Sequence, residues 1–507
     1  MALPQEKLAD SLQALRALQK RGIVAIRSAD LSRTHRERLA KAGFLQEVMK
    51  GWYIPFRPDE ARGESTAWYA SFWTFCAAYL SARFDEDWVL SPEQSLLLHS
   101  DNRSVPGQLL VRSPKARNKV TPLAFDTSLL ENRAALPSNN QTQTLDGLRV
   151  YTLPAALVAA GSGFFRQWPN EARTALAMVR DASDVLSVLL AGGHSVIAGR
   201  LAGAFRNIGR ERIAEEIVKT MRSADFDVRE SDPFEAPTTL NIPARAPSPY
   251  IMRMQLTWQA MRDTVIEHFP QAPGLADDKD AYLQTVEEVY AEDAYHSLSI
   301  EGYRVSPDLI EHVRSGAWNP DQIESDIAQR DALAARGYHE AFQAVKHTVA
   351  GVLDGKNPGA AVDDDHSTWY RELFSPSVRA GILTTADLAG YRNEPVYIQN
   401  ARHVPPGKEA VRDLMPAFFD LLREETDPGV RAVLGHFMFV YIHPYMDGNG
   451  RMGRFLMNVM LAGGGYPWTV IPVERRSEYM DALEAASTES DIQPFTGFLT
   501  GLVRGNG

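Results

Sequence analysis

The sequence predicts a mixed α+β protein made of several domains. Its 507 residues are enough for about three domains, each with its own hydrophobic core. Apolar residues make up 44% of the chain and charged residues 23%, as in ordinary soluble globular proteins. Five prolines between residues 231 and 250 prevent regular structure, which makes this Pro-rich linker the best domain boundary. We therefore divide the chain into segments 1–60, 61–230, 231–250 and 251–507.

Charge is unevenly distributed along the chain. The formal net charge of −11 argues against a protein that binds nucleic acid over its whole surface. Residues 1–57 nevertheless carry eleven basic and five acidic side chains, a net charge of +6, which leaves −17 for the remainder. The sequence therefore predicts a basic N-terminal module on an acidic body.

The pattern of segment 1–60 favours a small DNA-binding module. Leucines at helical spacing are followed by a second helix over 32–42 and by a strand over 52–55. This order resembles the winged helix-turn-helix found in regulator-type and antitoxin-type proteins. The resemblance implies a recognition helix whose first residues would meet DNA: Ser32, Arg33, Thr34, His35, Arg36 and Arg38. The alternative is an amphipathic helix pair with a solvated basic face.

Segment 61–230 predicts an α+β body without a recognisable site. It combines an aromatic-rich helix over 68–80 with strand-like pieces at 88–90, 108–112 and 148–152. It resembles the body that follows the winged helix in such regulators. No metal-ligand spacing, nucleophile pair or phosphate loop occurs in it, so the sequence assigns it no role.

The sequence favours a cytoplasmic protein with no membrane span. The single cysteine, Cys76, rules out an internal disulfide and fits a reducing compartment. Charged residues interrupt any apolar signal core near the N-terminus. His194 and Arg200 break the most apolar stretch, 185–204, which we therefore interpret as buried helices.

The strongest functional signal runs from His443 to Arg454 and reads HPYMDGNGRMGR. Its glycines let the backbone approach a ligand, and a helix begins after them, so the stretch predicts a phosphate site. Arg451 and Arg454 lie three apart on one helix face, from which both can bind phosphate oxygens. Asp447 is the natural ligand for a nucleotide-bound Mg²⁺ or Mn²⁺, and His443 can accept a proton from an attacking hydroxyl. Together these residues predict a nucleotidyl or phosphoryl transferase.

Two other interpretations of this stretch stay open. The glycines also match the G-x-G-x-x-G pattern of dinucleotide-binding proteins, and Glu474 follows at the spacing of a ribose-binding acid. The helical pattern beyond residue 475 cannot supply the remaining strands that such a fold needs. The second alternative is a glycine-rich helix connection with solvated arginines.

The same stretch resembles the signature of the Fic (filamentation induced by cAMP) family, H-P-F-x-D-G-N-G-R-x-G-R. It differs only at Tyr445, which replaces a phenylalanine and which we expect to be a packing ring. The resemblance extends over about residues 248–502. It implies an all-α domain that transfers AMP from ATP to a protein hydroxyl with the help of Mg²⁺ or Mn²⁺.

The resemblance also implies a role for each residue of the motif. These roles are general base for His443, metal ligand for Asp447, phosphate-holding loop for Gly448, Asn449 and Gly450, α/β-phosphate contact for Arg451, γ-phosphate contact for Arg454, and further nucleotide binding for Gly453. Tyr479 would stack on adenine, although a packing tyrosine is an equal alternative.

A second motif lies at the end of a predicted helix over 280–298. Ser297 and Glu301 are four apart and so lie on one helix face, and Gly302 can end the helix. By itself this pattern indicates a surface carboxylate. Beside the Fic signature it resembles the self-inhibitory helix of the family, which implies that Glu301 pairs with Arg454 and keeps ATP from binding productively.

A third candidate feature lies before the motif. Alternating apolar residues at Val396 and Ile398, followed by a polar turn, predict a β-hairpin. The Fic resemblance implies that this is the flap that binds the target by strand addition, with Ile398, Gln399 and Asn400 as target contacts. A solvent-exposed hairpin without that role is the alternative.

These observations predict an adenylyltransferase acting on Ser, Thr or Tyr hydroxyls and autoinhibited by Glu301. ATP is the expected small-molecule partner; the protein itself is one candidate target, and a homodimer is one candidate assembly. Two alternatives are a transcriptional regulator with a nucleotide-sensing Fic domain and an enzyme that removes AMP or transfers another nucleotide.

Overall fold

The computed structural model describes residues 4–56, 65–236, 248–316 and 326–505. The chain folds as two units. The first consists of Met1–Arg253 with Tyr397–Val404, and the second of Met254–Val396 with Pro405–Gly507. The Pro-rich linker 231–250 lies largely outside the described residues, and its last proline, Pro249, is the first residue of a helix.

The first unit is mixed α+β. Its elements are α1 (Pro4–Lys20), β1 (Ile26–Arg27), α2 (Arg33–Lys41), β2 (Leu45–Met49), β3 (Trp52–Pro55), α3 (Thr66–Phe84), β4 (Val89–Leu90), α4 (Pro92–His99), β5 (Gln108–Ser113), β6 (Lys119–Pro122), β7 (Ser128–Arg133), β8 (Thr142–Leu145), β9 (Leu148–Tyr151), α5 (Leu153–Ala159), α6 (Ser162–Gln167), α7 (Pro169–Met178), α8 (Ala182–Gly192), α9 (Ser195–Asn207) and α10 (Glu211–Ser223).

The N-terminal module combines two helices with a three-stranded sheet of order β1-β3-β2. Ser32 begins α2 because its side chain accepts a hydrogen bond from the backbone of His35 at 3.3 Å, which satisfies one of the free N–H groups of the first turn. The predicted second helix and final strand are confirmed, whereas β1 and β2 were not predicted. The winged-helix resemblance stays a prediction.

The arginines of α2 are largely occupied within this module. Arg38 donates to the backbone oxygen of Lys7 at 3.1 Å, and Arg36 donates to the backbone oxygen of Leu31 at 3.3 Å. Arg33 is exposed but pairs with Glu37 at 2.7 Å. Two of the three arginines thus hold α2 against its surroundings, and DNA binding by this helix stays a prediction.

The body of the first unit contains a four-stranded sheet of order β4-β5-β7-β6, in which only β5 and β7 run parallel. The hairpin β8-β9 turns at Asp146 and Gly147, both with positive φ, as a tight two-residue hairpin turn requires. The predicted helix at 68–80 and the three predicted strands are confirmed, but β6, β7 and β8 were missed. Cys76 is buried in the aromatic core, and burial raises the pKa of its thiol, as expected of an inert cysteine.

The apolar stretch 185–204 forms parts of α8 and α9. The two helices are separated at Gly193, whose φ of 61° ends α8 in the left-handed conformation. Within the ranges that the structure describes, no helix is long and apolar enough to cross a membrane.

The described part of the second unit contains α-helices, two short 3₁₀ turns and no strand. Its elements are α11 (Pro249–His268, which begins in the first unit), α12 (Lys279–Ile300), α13 (Pro307–Arg314), α14 (Asp326–Leu353), α15 (Pro358–Arg379), α16 (Lys408–Glu424), α17 (Pro428–Ile442), α18 (Asn449–Gly464), α19 (Arg476–Glu489) and α20 (Gln493–Gly505). The predicted all-α character is confirmed.

Helices α17 and α18 form the centre of this unit and are buried on nearly all sides. Asp427 starts α17 by accepting a hydrogen bond from the N–H of Val430 at 2.9 Å, and Pro428 fits the first helical position. Gly465 ends α18 with a φ of 78°, and a Cβ there would lie 1.6 Å from the backbone oxygen of Gly274. The connection between these two buried helices contains the predicted motif.

The predicted β-hairpin at 396–400 is wrong. Residues 393–407 contain neither strand nor helix. The backbone N–H of Asn400 donates to the hydroxyl of Thr66 at 3.0 Å, and its side-chain oxygen accepts from the N–H of Ser65 at 3.0 Å. Since these groups are bonded within the first unit, they are not available to pair two strands with each other.

Candidate active site

The motif forms the connection between α17 and α18. His443 ends α17 in the left-handed conformation, with φ 53° and ψ 60°, and its N–H donates to the oxygen of Phe439 at 3.0 Å. Gly448 has a φ of 81°, and a Cβ there would lie 2.9 Å from the ring of Phe374. A non-glycine residue with positive φ is strained and is often found at functional sites. The connection is therefore tightly constrained at both ends.

Asn449 holds this connection together through its side chain. Its Oδ1 accepts from the N–H of Tyr445 and its Nδ2 donates to the carbonyl of Tyr445, both at 2.8 Å. The side chain is 2% exposed. Both its donor and its acceptor thus serve the loop in this structure, and a contact of this side chain with phosphate stays a prediction. The backbone N–H of Asn449 still lies at the start of α18, where anions bind.

Tyr445 is a packing ring, as predicted. It is 1% exposed and stacks on Tyr370 with a centroid distance of 3.9 Å and an interplanar angle of 8°. Replacing the signature phenylalanine by tyrosine leaves the ring in the core of the unit.

The imidazole of His443 is set up as a neutral base. Its Nδ1 lies 3.1 Å from the carbonyl oxygen of Val440, and since a carbonyl only accepts, Nδ1 carries the proton. Nε2 then has the free lone pair. Burial above all, with a smaller effect from the charge of Arg392, lowers the pKa of His443 to about 4. The side chain is therefore neutral at physiological pH.

Arg392 is a site residue that the sequence reasoning missed. Its Nε donates to the carbonyl oxygen of His443 at 2.8 Å, and its own N–H donates to that of Pro444 at 2.9 Å. It belongs to a Gly-Tyr-Arg string that carries no chemical signal by itself, so only the fold reveals its position.

Asp447 fits the role of a single protein ligand for a metal ion. Its side chain is 64% exposed, and Oδ1 accepts from the N–H of Gly448 at 2.6 Å. Mg²⁺ on a nucleotide takes about one or two carboxylates and completes its shell with phosphate oxygens and water. The part of the chain that the structure describes contains no group of three or more His, Cys, Asp or Glu residues that could hold a metal ion. Asp447 thus offers the one carboxylate that a nucleotide-bound metal ion needs from the protein.

Two buried guanidinium groups lie on the first turns of α18. Arg451 lies between the rings of Tyr303 and Phe374, 5.1 and 5.2 Å from their centroids. Within the described ranges, Nε of Arg451 and Nη1 of Arg454 have no hydrogen-bond partner. Buried donors of this kind need an acceptor, and phosphate oxygens suit guanidinium groups.

Glu301 and Ser297 bind Arg454. The Nη2 of Arg454 donates to Oε1 of Glu301 at 2.7 Å and to the backbone oxygen of Ser297 at 3.0 Å, while Nε donates to the Ser297 hydroxyl at 2.8 Å. Gly302, with a φ of 84°, follows α12 and ends it here.

The same carboxylate lies against the start of α18. A Cβ built on Gly450 would be 2.2 Å from Oε1 of Glu301. Because a helix N-terminus carries free N–H groups and a partial positive charge, it is an anion site. In this structure the anion at the site is the side chain of Glu301.

Two predicted nucleotide contacts, Tyr479 and Gly453, are packed against α17 in this structure. Tyr479 is 1% exposed, and its hydroxyl lies 2.7 Å from Nε2 of the buried His436, which favours the alternative of a packing tyrosine over stacking on adenine. A Cβ on Gly453 would lie 2.9 Å from Val440, which shows that this glycine allows α17 and α18 to approach closely. Both residues thus pack against α17.

The structure therefore gathers most of the predicted residues in one place. His443, Asp447, Gly448, Asn449, Gly450, Arg451 and Arg454 belong to one connection and helix, and Ser297 and Glu301 join them from α12. Ile398, Gln399 and Asn400 lie instead in the first unit.

Known proteins resemble this chain in the region around the motif. Residues 366–461 match the model of the Fic/DOC family. The chain is similar to proteins named protein adenylyltransferase Fic: 31% identical over 227 residues in Culex quinquefasciatus (43% of this chain, 41% of that protein) and 29% over 234 residues in Aedes aegypti (44% and 42%). The Drosophila willistoni protein of this name is 42% identical over 113 residues, 22% of each chain.

The chain spans less than half the length of each of these relatives. A solved structure of Fic-1 from C. elegans is 20% identical, covers 64% of this chain and 90% of that chain, and gives a TM-score of 0.37. The family match covers helices α17 and most of α18 with the motif between them. The chain is therefore similar to the Fic/DOC family over residues 366–461, most of which lie in its second unit.

Proposed function

We propose that the second unit is a protein adenylyltransferase that transfers AMP from ATP to a Ser, Thr or Tyr hydroxyl of a target protein. We further propose that Glu301 keeps it in a state of low activity. One observation carries the proposal: the carboxylate of Glu301 lies on Arg454 and against Gly450, at the helix N-terminus best suited to a triphosphate. The names of the relatives support the same reaction.

The chemistry needs a base, an anion site and a way to neutralise the leaving group. Nε2 of His443 takes the proton from the target hydroxyl while the oxygen of that hydroxyl attacks the α-phosphorus of ATP. The bond from the α-phosphorus to the bridging oxygen breaks, and pyrophosphate leaves. Because His443 is already neutral, no prior deprotonation is required.

The phosphates bind to preformed donors. The N–H groups of the first turn of α18, with the guanidinium of Arg451, receive phosphate oxygens, and Arg454 receives those of the γ-phosphate. Asp447 would hold Mg²⁺ or Mn²⁺, which would supply positive charge to neutralise the leaving pyrophosphate. Each of these donors lies on the buried helix α18 and is held in place before the nucleotide binds.

Glu301 opposes this arrangement in two ways. Its carboxylate removes the hydrogen-bonding capacity that Arg454 would offer to the γ-phosphate. It also places a negative charge where the triphosphate must approach, which repels it. ATP bound beside Glu301 is therefore displaced from the position needed for attack.

The experiment compares the full-length chain, Glu301→Gly, and Glu301→Gly combined with His443→Ala. Each is incubated with ATP labelled at the α-phosphate, with Mg²⁺ or Mn²⁺ and with a lysate of the producing organism, and modified peptides are identified by mass spectrometry. We expect strong labelling only with Glu301→Gly. If Glu301→Gly transfers no AMP, or if labelling persists without His443, the proposal is wrong.

The same assay distinguishes the alternative functions. Unlabelled CTP, GTP and UTP as competitors reveal transfer of another nucleotide. A substrate already carrying AMP, incubated with the full-length chain, tests for AMP removal, in which Glu301 would activate water. Nucleotide binding without transfer or removal would favour a nucleotide-sensing regulator.

A further inference from the structure

Arg392 is a buried cation that is surrounded by backbone oxygens. Its exposed fraction is 2%, and its guanidinium donates to the carbonyl oxygens of His443 at 2.8 Å, Glu394 at 3.3 Å and Ile442 at 3.4 Å, and also to that of Pro406. No carboxylate in the described part of the chain forms an ion pair with it. Buried charges are usually paired with an opposite charge, so this arrangement calls for an explanation.

The end of α17 provides part of the negative charge that stabilises the guanidinium of Arg392. The last carbonyl groups of a helix have no partner inside the helix and carry its partial negative charge, which favours a cation. Ile442 is the last residue of α17, and His443 follows it in the strained left-handed conformation. The guanidinium of Arg392 satisfies the carbonyls of both residues, and so stabilises the backbone that carries the base.

The two ends of the segment between Glu394 and Pro406 provide further acceptors for Arg392. Arg392 binds the carbonyl oxygens of both residues, twelve positions apart in sequence, on the same guanidinium that binds His443. Its planar fork offers five donors in fixed directions, which a lysine cannot reproduce. Both ends of this segment are thereby fixed relative to the catalytic loop.

We propose that Arg392 is a positioning residue that fixes His443 and the two ends of segment 394–406 relative to each other. This inference rests on the proposed function of the site, since it assigns to Arg392 the alignment of the base with the attacking hydroxyl. Displacing a reacting group by about 1 Å can cost on the order of a hundredfold in rate. A single guanidinium that joins three parts of the chain prevents such a displacement.

Arg392 also acts on His443 by its charge. The positive charge of Arg392 lowers the pKa of His443, and the negative charges of Glu301 and Asp447 raise it, while burial has the largest effect and lowers it. Removing the charge of Arg392 therefore raises the pKa of the base. Replacing Arg392 by lysine keeps a cation but loses the fork, so the two effects can be separated.

The test is made in the full-length chain carrying Glu301→Gly. The variants Arg392→Lys and Arg392→Gln are compared with Arg431→Lys and Arg431→Gln as matched controls. Arg431 is likewise buried, at 7% exposure, and donates to a backbone oxygen, that of Glu425, but lies in α17 away from the motif. The readouts are kcat for AMP transfer, Kd for ATP, the pH dependence of kcat, and amide hydrogen exchange of the peptide that covers residues 443–448.

We expect kcat to fall about ten- to a hundredfold in both Arg392 variants, with Kd for ATP within about twofold of the parent. Exchange at 443–448 should be faster in both, and only Arg392→Gln should move the acidic limb of the pH profile to higher pH. Unchanged kcat and exchange, or equal effects in the Arg431 variants, would overturn the inference. If the Glu301→Gly parent transfers no AMP, the proposed function fails, and hydrogen exchange alone decides whether Arg392 holds the loop.

Discussion

Oε1 of Glu301 lies 2.7 Å from Nη2 of Arg454, although the two residues are 153 positions apart in the sequence. The arginine is almost fully buried and the glutamate side chain is 26% exposed. The same carboxylate also lies close to Gly450 at the start of α18. It therefore accepts a hydrogen bond from Arg454 and at the same time lies at the positive end of the helix dipole. A ligand that needs both groups must displace Glu301.

The first prediction is that Glu301→Gln increases AMP transfer. Glutamine keeps the size of the side chain but removes the negative charge that repels a triphosphate, so ATP binds more readily in the orientation for attack. The measurement is the initial rate of target labelling at subsaturating ATP. The matched control is Glu311→Gln, which removes an exposed carboxylate paired with Arg314. Stimulation by both substitutions would mean that net charge, and not the position of Glu301, limits the rate.

The second prediction concerns the base. In the Glu301→Gly background, His443→Ala should reduce kcat by on the order of 10²-fold or more, as expected when a general base is lost. Kd for ATP, measured by calorimetry, should change little because the imidazole acts on the attacking hydroxyl. His347→Ala, at an exposed position of α14, is the control. Weakened ATP binding in His443→Ala that accounts for the whole loss would contradict the assignment.

The third prediction is the pH dependence of this reaction. His443 must be unprotonated to act, and burial lowers its pKa to about 4, below its ordinary value. The kcat of Glu301→Gly should therefore stay constant as pH falls through the ordinary histidine range near pH 6.5, and should fall only as pH approaches 4. A pH–rate profile over a range where circular dichroism shows the fold intact checks this. Loss of half the activity near pH 6.5 would show that His443 is solvated during turnover.

The site could be predicted from sequence wherever one short stretch contains both the reactive side chains and the backbone features that orient them. His443, Asp447 and Arg451 lie within nine residues, and the helix start that orients them follows from the glycines. The Glu301–Arg454 pair was reached only through the family resemblance, since a carboxylate at a helix end has no distinctive pattern of its own. The charge and hydrogen-bonding capacity of these residues determine their contacts.

The contacts of residues with an ambiguous chemical character could not be predicted from the sequence. Asn449 offers a donor and an acceptor, which suits a phosphate or a peptide group equally, and the neighbouring Tyr445 backbone binds both. Tyr479 can stack on a base or pack in a core, and its hydroxyl is bonded to His436. The alternation at Val396 and Ile398 matched a hairpin, but tertiary hydrogen bonds of the segment override that local pattern. Only long-range contacts decide such cases.

The fourth prediction follows from the structural role of Asn449. Asn449→Ala removes two hydrogen bonds to the buried Tyr445 backbone, and leaving these groups unpaired should cost about 1–3 kcal/mol each in unfolding free energy. Asn449→Asp keeps the acceptor for the Tyr445 N–H but loses the donor, so its cost should be smaller if the fold tolerates the added charge. Urea unfolding of each variant provides the values. A stable Asn449→Ala protein with reduced ATP affinity would show instead that the side chain binds phosphate.

The last prediction tests whether Glu301 acts through Arg454, by a double-mutant cycle. Glu301→Gly alone should raise the rate of AMP transfer by roughly 5- to 150-fold, which corresponds to a coupling free energy of about 1–3 kcal/mol. Arg454→Ala alone should lower activity, because the γ-phosphate loses its guanidinium. If the carboxylate inhibits mainly by holding that guanidinium, Glu301→Gly should give little further gain in the Arg454→Ala background, since the group it would release is absent.

The size of that residual gain separates the two effects of Glu301. Arg454 also donates to the hydroxyl of Ser297 at 2.8 Å, so it keeps a defined position when Glu301 is removed. Ser297→Ala, which removes this second contact, serves as a third variant. Full stimulation in the Arg454→Ala background would mean that the carboxylate acts only by repelling the triphosphate at Gly450. Loss of activity in Glu301→Gly would contradict autoinhibition altogether and would favour a reaction in which this carboxylate activates water. A gain that depends on Arg454 is the outcome expected from the 2.7 Å contact between the two side chains.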